Sequence, residues 1–144
     1  LGDVYKRQTA DGWFGVDMPA LLPKKEHGGA DYIRLNLYLA LGEYFKSRDK
    51  LRLDACVLVV CHRYDRKRPE RAYRDHDNIE LNAVVDALAL YALYDDGPLR
   101  CEHHYCSLQD DRDATTVLLV PQDAFTVCYT RIKTAPQMLL PLFP

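Results

Sequence analysis

The spacing of apolar residues changes several times along the chain, and each change predicts a different element. From Asp31 to about Lys46, apolar residues recur every three or four positions, which predicts a helix with Asp31 as its N-cap. Residues 53–62 instead form a nearly continuous apolar run rich in β-favouring residues. Such a run predicts a central strand that is buried on both faces.

The second half of the chain repeats these two patterns. Residues 78–91 are apolar on nearly every side apart from one thin polar stripe, which predicts a helix covered on most of its surface. Residues 99–108 and 114–120 are strand-like, and the polar segment between them predicts an antiparallel hairpin. The order helix, strand, helix, strand, strand predicts a two-layer α+β domain with a small mixed sheet and two main helices.

The length of 144 residues suits a single domain, which we place at residues 9–130. We interpret residues 1–8, which begin without Met, as a non-native scar, and residues 131–144 as a proline-punctuated C-terminal tail. No apolar run is long enough for a transmembrane helix, so we expect no membrane partner. Five cysteines, an odd number, favour reduced thiols in the cytoplasm over a disulfide framework.

Two acidic pairs bracket the second predicted helix: Asp75 and Asp77 precede it, and Asp95 and Asp96 follow it. Carboxylates that converge in space bind Mg²⁺ or Mn²⁺, because hard cations prefer oxygen ligands. Each pair also has a structural interpretation, since Asp77 with Glu80 fits a helix cap and the second pair fits a turn. A cap explains one aspartate but not Asp75 beside it, so the joint pattern favours a metal site.

A basic segment runs directly into the first acidic pair. Between positions 63 and 74, six basic residues are opposed by only two acidic ones, a local net charge of +4 in a chain of net charge −2. The acidic overall balance argues against a protein that coats nucleic acid, but a local basic patch beside a metal site suits a phosphodiester substrate. The alternative is a solvated loop of mixed charge. The candidate DNA-binding residues are Arg63, Arg66, Lys67, Arg68, Arg71 and Arg74.

Cysteines and histidines in residues 61–62 and in the segment Cys101–Cys106 suggest a rival, zinc-binding site. Structural zinc sites usually have two closely spaced ligand pairs in loops, whereas both groups here lie on predicted strands. Strand alternation also splits the cysteines and histidines of the second segment between opposite faces. A zinc-stabilised binding module is therefore the less favoured interpretation.

The stretch from Val57 to about Val120 resembles the RusA family of phage-associated Holliday junction resolvases. The resemblance covers roughly 65 residues, and the order and spacing of its short motifs are fairly specific. A strand and an arginine-rich loop come first, and a strand pair comes last. Between them, the matching motifs are Asp75-His76-Asp77-Asn78, Asp86-Ala87-Leu88 and Asp95-Asp96.

The resemblance implies a homodimeric α/β fold that cleaves branched DNA with Mg²⁺, or Mn²⁺, held by aspartates. Carried over residue by residue, the metal-binding catalytic positions are Asp75, Asp77 and Asp96, and the supporting position is Asp95. One position departs from the family, because its lysine in the first helical turn corresponds here to Leu81 or, with a one-residue shift, to Asn82. This departure supports a second interpretation, a catalytically inactive member that binds branched DNA or a protein partner.

The spacing of the acidic pairs also bears on assembly. A helix over residues 78–91 would be about 20 Å long, and the four residues after it reach at most roughly 14 Å. One chain would therefore struggle to bring Asp96 back to Asp77. We expect a two-fold homodimer in which Asp75 and Asp77 of one chain approach Asp96 of the other, and in which the partner covers the second apolar face of the helix.

Overall fold

A computed structural model of the chain has a five-stranded mixed sheet at its centre, with strand order β1-β2-β5-β3-β4. The structure describes residues 5–8, 13–24, 31–49, 51, 53–69, 72–75, 79, 81–92, 97 and 99–136. The strands are β1 Tyr5–Gln8, β2 Phe14–Met18, β3 Cys56–Asp65, β4 Cys101–Asp110 and β5 Ala114–Pro121. The α-helices are α1 Asp31–Tyr44, α2 Asn82–Tyr91 and α3 Phe125–Thr134, the last preceded by a 3₁₀ turn at Gln122–Ala124.

Strand β3 is the central strand that the apolar run predicts. It pairs in parallel with β4 and antiparallel with β5, and nine of its ten residues are buried. The strand lies three residues further along the chain than expected, ending at Asp65 rather than at His62. Arg63 is therefore part of the sheet and not of the loop that follows.

The predicted hairpin between β4 and β5 is wrong. The two strands lie on either side of β3 and do not pair with each other, so the short turn of residues 111–113 crosses over the end of β3. Alternation identifies strands but not their neighbours. Because β3 is apolar on both faces, it takes an interior place in the sheet, which separates two strands that follow one another in sequence.

The predicted α+β fold class, with helices packed on a small mixed sheet, is confirmed. Helices α1 and α2 cover one face of the sheet and contact the β3 side chains of Leu58 and Val60. Helix α3, which the sequence analysis did not predict, lies against the opposite face through Cys128 and Ile132. It extends past residue 130, the predicted end of the domain, and β1 lies within the segment assigned to the scar.

Helix α2 begins four residues later than predicted. Ile79 forms an isolated antiparallel bridge with Lys24, and Leu81 precedes the helix without any side-chain cap. The interpretation of Asp77 as the N-cap is therefore wrong. Helix α1 packs beside α2, and Arg34 Nη2 on α1 lies 3.5 Å from Asp86 Oδ2 on α2. Helix α1 therefore covers much of the apolar α2 surface that we expected a partner subunit to cover.

The shorter helix also changes the argument for a composite site. Ten residues span about 15 Å, and the chain between Asp77 and Asn82 is not helical where the structure describes it. The separation of Asp77 and Asp96 is therefore not set by the length of one helix. The homodimer remains a prediction, but helix length no longer requires it.

Candidate functional site

Of the four candidate catalytic aspartates, Asp75 is described and its side chain is exposed to solvent. Asp77, Asp95 and Asp96 lie outside the described residues. Within the described part of the chain, no three or more histidine, cysteine, aspartate or glutamate side chains are placed to share a metal ion. The zinc-stabilised module therefore gains no support there, and the site must be built from the surroundings of Asp75.

The chain leading into Asp75 is held against the end of β3. Tyr64 is fully buried and its ring stacks on that of Tyr73, with centroids 4.0 Å apart and planes 6° from parallel. The Tyr64 hydroxyl accepts a hydrogen bond from the backbone N–H of Arg74 at 3.0 Å. The Arg74 guanidinium donates to the carbonyl of Leu22 at 2.8 Å. These contacts anchor the backbone one residue before Asp75.

Arg63 is an interior residue. Its side chain is 2% exposed, and its guanidinium contacts the carboxylates of Asp17 at 2.5 Å and Asp110 at 2.8 Å. Thr116 also donates a hydrogen bond to Asp17, at 2.8 Å. The two ion pairs of Arg63 connect β2 to β4 across the intervening strands. Arg63 is thus not available to a DNA phosphate, and its assignment as a DNA contact is corrected because β3 continues past it.

Two arginines of the loop pair with the turn that crosses β3. Arg66 forms an ion pair with Asp111, and Arg68 forms one with Asp113. The Arg68 guanidinium holds the pKa of Asp113 below its usual value, and the backbone N–H of Asp65, which donates to the same carboxylate at 2.9 Å, acts in the same direction. This turn anchors the loop to the neighbouring strands.

The crossing turn also changes the local charge. Asp110, at the end of β4, and the turn contain three aspartates and one arginine, a net charge of −2, which reduces the local charge of the loop, the turn and Asp110 together from +4 to +2. Lys67 lies exposed in the turn just after β3, where its backbone N–H donates to the Asp65 carboxylate at 2.9 Å. Arg71 lies outside the described residues. The described surface is one of mixed charge rather than a uniformly basic patch.

The RusA resemblance sets two residues of this chain, Leu81 or Asn82, against a lysine, and neither of them can supply a positive charge. Leu81 is 5% exposed and belongs to the core beneath α1 and α2. Asn82 is the first residue of α2 and is exposed, so its side chain reaches solvent with an uncharged amide. If this surface carries out phosphodiester chemistry, the positive charge near Asp75 must come from the loop.

The sequence analysis missed a pairing of cysteines on β3 and β4. All five cysteines are buried thiols, and the parallel register sets Cys56 opposite Cys101 and Cys61 opposite Cys106. The Sγ atoms of Cys61 and Cys106 are 2.8 Å apart. Both segments have two cysteines five residues apart, and this shared interval was the signal in the sequence for the pairing. It becomes informative only once the two strands are known to run in parallel and in this register.

No helix in the described part of the chain is both long and apolar enough to cross a membrane. A comparison with curated protein sequences finds no match. The model of one protein family, described as a family of unknown function (DUF6100), matches residues 3–139 and thus nearly the whole chain. The match includes β1 at one end and all of α3 at the other. The chain therefore belongs to the DUF6100 family.

Proposed function

We propose that the end of the sheet carrying Asp75 faces branched DNA, and that this chain is a metal-dependent endonuclease of RusA-like type. The observation that carries the proposal is the exposed carboxylate of Asp75, which follows an anchored backbone at the C-terminal end of the basic loop. A catalytic ligand on an anchored backbone suits hydrolysis, because small errors in the position of a metal ligand are costly to the rate.

The ion pairs of the loop are compatible with a phosphate ligand. Arg66 and Asp111 have side chains that are 59% and 92% exposed. Exposed pairs of this kind contribute about 0–1 kcal/mol to stability. A phosphate oxygen can therefore replace Asp111 on Arg66 at little cost in folding free energy. Together with Lys67, Arg66 would position a DNA backbone without reading its sequence.

The carboxylates suit Mg²⁺ or Mn²⁺, which prefer oxygen ligands. Asp75 would provide one ligand, and Asp77 and Asp96 are the further ligands that we propose from the resemblance, with Asp95 supporting them. A bound divalent cation lowers the pKa of a coordinated water molecule and stabilises the charge that develops on the scissile phosphate. The role of the protein would be to hold the carboxylates in place and to bind the DNA backbone through the loop.

We further propose that the protein acts as a homodimer in the cytoplasm. Two copies suit a branched DNA substrate with two equivalent strands to cut, since a two-fold dimer presents the same surface twice. The five buried thiols suit a reducing compartment. Sedimentation at micromolar concentration tests the dimer, and a monomer would contradict it.

Cleavage of a synthetic four-way junction in Mg²⁺ or Mn²⁺ tests the main proposal. The Asp75→Asn and Asp77→Asn variants should lose cleavage but keep DNA binding. Asp123→Asn is a matched control, because Asp123 is an exposed aspartate just after β5, level with the opposite end of β3. Full activity of the Asp75→Asn/Asp77→Asn double variant would contradict the mechanism.

A second candidate function is a member that binds DNA without cutting it, and the buried, uncharged Leu81 at the lysine position favours it. In that case the wild type binds four-way junctions and cleaves none in either metal. Both candidates predict that replacing Arg66, Lys67 and Arg68 by Ala flattens the salt dependence of binding, by up to about 0.9 in log–log slope for each phosphate that is no longer neutralised. An unchanged slope would show that the loop does not contact DNA.

A further inference from the structure

The cysteine pair at the middle of β3 and β4 is placed for covalent chemistry. Cys61 and Cys106 are directly opposite each other in the parallel register, with their Sγ atoms 2.8 Å apart. Neighbouring strands lie about 4.8 Å apart, which is within the Cα–Cα range that disulfides span. The two sulfur atoms need to approach by only roughly 0.75 Å to reach the length of a disulfide bond.

We propose that Cys61 and Cys106 form a reversible dithiol–disulfide couple that a hydroperoxide oxidises. This site is independent of the nuclease proposal, since it lies within the sheet beneath α3 and uses none of the proposed metal- or DNA-binding residues. Its chemistry requires only the two thiols and an oxidant small enough to reach the sheet.

Exposure assigns different roles to the two cysteines. Strand β4 is the outermost strand next to β3 in the described sheet, and Cys106 is 5% exposed, whereas Cys61 on the interior strand is 0% exposed. The sulfur of Cys106 is therefore the one that a small oxidant reaches first. Cys61 is the resolving thiol, within reach of Cys106 and shielded from direct attack.

The reaction balances in two steps. The Cys106 thiolate attacks the hydroperoxide, so that an S–O bond forms, the O–O bond breaks, and an alcohol (water, for hydrogen peroxide) leaves after taking up a proton. The Cys61 sulfur then attacks the sulfenic acid sulfur of Cys106. The S–S bond forms, the S–O bond breaks, and water leaves with the Cys61 proton. Two thiols lose two electrons, and the peroxide gains them.

The electrostatic surroundings agree with these roles. A hydrogen bond from Cys61 lowers the pKa of Cys106, burial opposes this shift, and the positive charge of Lys133 adds to the lowering. The same hydrogen bond and burial raise the pKa of Cys61, which therefore keeps its proton. A thiolate is the nucleophile in thiol oxidation, and a neighbouring positive charge favours its formation.

The second cysteine pair is a built-in control. Cys56 and Cys101 occupy the same ladder five residues earlier and on the opposite face, where they join the core beneath α1 and α2. A hydrogen bond with Cys101 and burial raise the pKa of Cys56. No lysine or arginine is among the causes of that shift. This pair has matching register, but no positive charge acts on Cys56 as Lys133 acts on Cys106, and we expect it to react more slowly.

Peptide mapping of the native full-length protein tests the couple. After brief treatment with hydrogen peroxide and alkylation of the remaining thiols, non-reducing digestion should yield a peptide that links Cys61 to Cys106. Dithiothreitol should reverse the link. The Cys61→Ser variant should accumulate a sulfenic acid at Cys106, which a dimedone probe labels, because the resolving thiol is gone. The Cys106→Ser variant should show no such label at Cys61, and Cys101→Ser should leave the link unchanged.

Three results would overturn the proposal, and all come from the wild-type map, so they do not depend on whether a variant folds. The first is a link between Cys56 and Cys101 that forms before the link between Cys61 and Cys106. The second is a link from Cys106 to Cys128 on α3. The third is retention of all five thiols under conditions that oxidise a free cysteine peptide.

Discussion

Two arginines of the same short segment have opposite environments. Arg63 is fully buried between Asp17 and Asp110, whereas Arg66, three residues later, forms a pair with Asp111 in solvent. A count of charges treats the two as equal. Their difference shows that the point at which β3 ends, and not the number of basic residues, decides which charges belong to the interior and which remain for a ligand.

The two kinds of pair also differ in energy. Removal of one partner from a buried ion pair typically costs 3–5 kcal/mol, because the remaining charge stays buried without compensation. An exposed pair contributes about 0–1 kcal/mol. The ion pairs of Arg63 should therefore contribute strongly to the stability of the domain. Another anion should be able to replace Asp111 on Arg66 with little effect on that stability. The predictions below test this difference in order of decreasing effect.

The largest effect is expected for Arg63→Met, which retains most of the side-chain volume but leaves Asp17 buried beside no cation. We expect the free energy of unfolding to fall by about 3–5 kcal/mol, measured by urea denaturation. Arg66→Met is the matched control and should change stability by less than about 1 kcal/mol. Equal losses in the two variants would remove the distinction between the two sites.

A smaller loss is expected for Tyr64→Phe. This variant keeps the ring stacked on Tyr73 but removes the hydroxyl that accepts the Arg74 N–H. An amide that loses its buried partner costs about 1–3 kcal/mol, and hydrogen exchange of the Arg74 amide should become faster. Tyr73→Phe is the control, because its hydroxyl accepts from the exposed Gln109 amide at 3.2 Å. A larger loss in the control would contradict the anchoring role of Tyr64.

The pair of Arg68 and Asp113 should stabilise the protein in a pH-dependent way. The hydrogen bond from Arg68 lowers the pKa of Asp113 in the folded state. Its contribution is therefore fully present above the unfolded pKa of aspartate, near 3.9, and is lost as the pH falls through the lower folded value. Asp113→Asn should cost up to about 1 kcal/mol at neutral pH. The difference from wild type should shrink on acidification below pH 4 or so, and a constant difference would contradict this origin.

The smallest effect on stability is expected for Asp111→Asn, at less than about 0.5 kcal/mol, because its carboxylate is almost fully exposed. The same change should strengthen binding of a four-way junction at low salt, since it releases Arg66 to contact a phosphate. Unaltered binding together with unaltered stability would mean that Arg66 has no function on this surface.

The elements set by local apolar pattern were predictable. The run Cys56–Cys61 identified β3, and the spacing of Ile33, Leu37 and Leu41 identified α1. Helix α3 had a similar signal in Phe125, Cys128 and Ile132, at three- and four-residue spacing, which the sequence analysis did not use.

Features that depend on distant partners could not be predicted. The start of α2 is displaced by the bridge between Ile79 and Lys24, which overrides the capping preference of the local sequence. The partners of Arg66 and Arg68 lie more than forty residues away in the crossing turn, so the sequence displayed the positive charges of the loop but not the acids beside them. The opposed cysteines likewise required the parallel register of β3 and β4.

The crossing turn at residues 111–113 has a consequence for the order of folding. It joins strands that lie two strand spacings apart, roughly 9.5 Å, so β4 and β5 cannot nucleate as a local hairpin. In the described sheet β4 pairs with the distant β3, and β5 pairs with β3 and with the still more distant β2. The chain loses the entropy of closing these long loops before the strand contacts that offset this loss can form. Folding is therefore slow for a chain of this size. A nascent chain would therefore gain this sheet only after β5 has emerged from the ribosome.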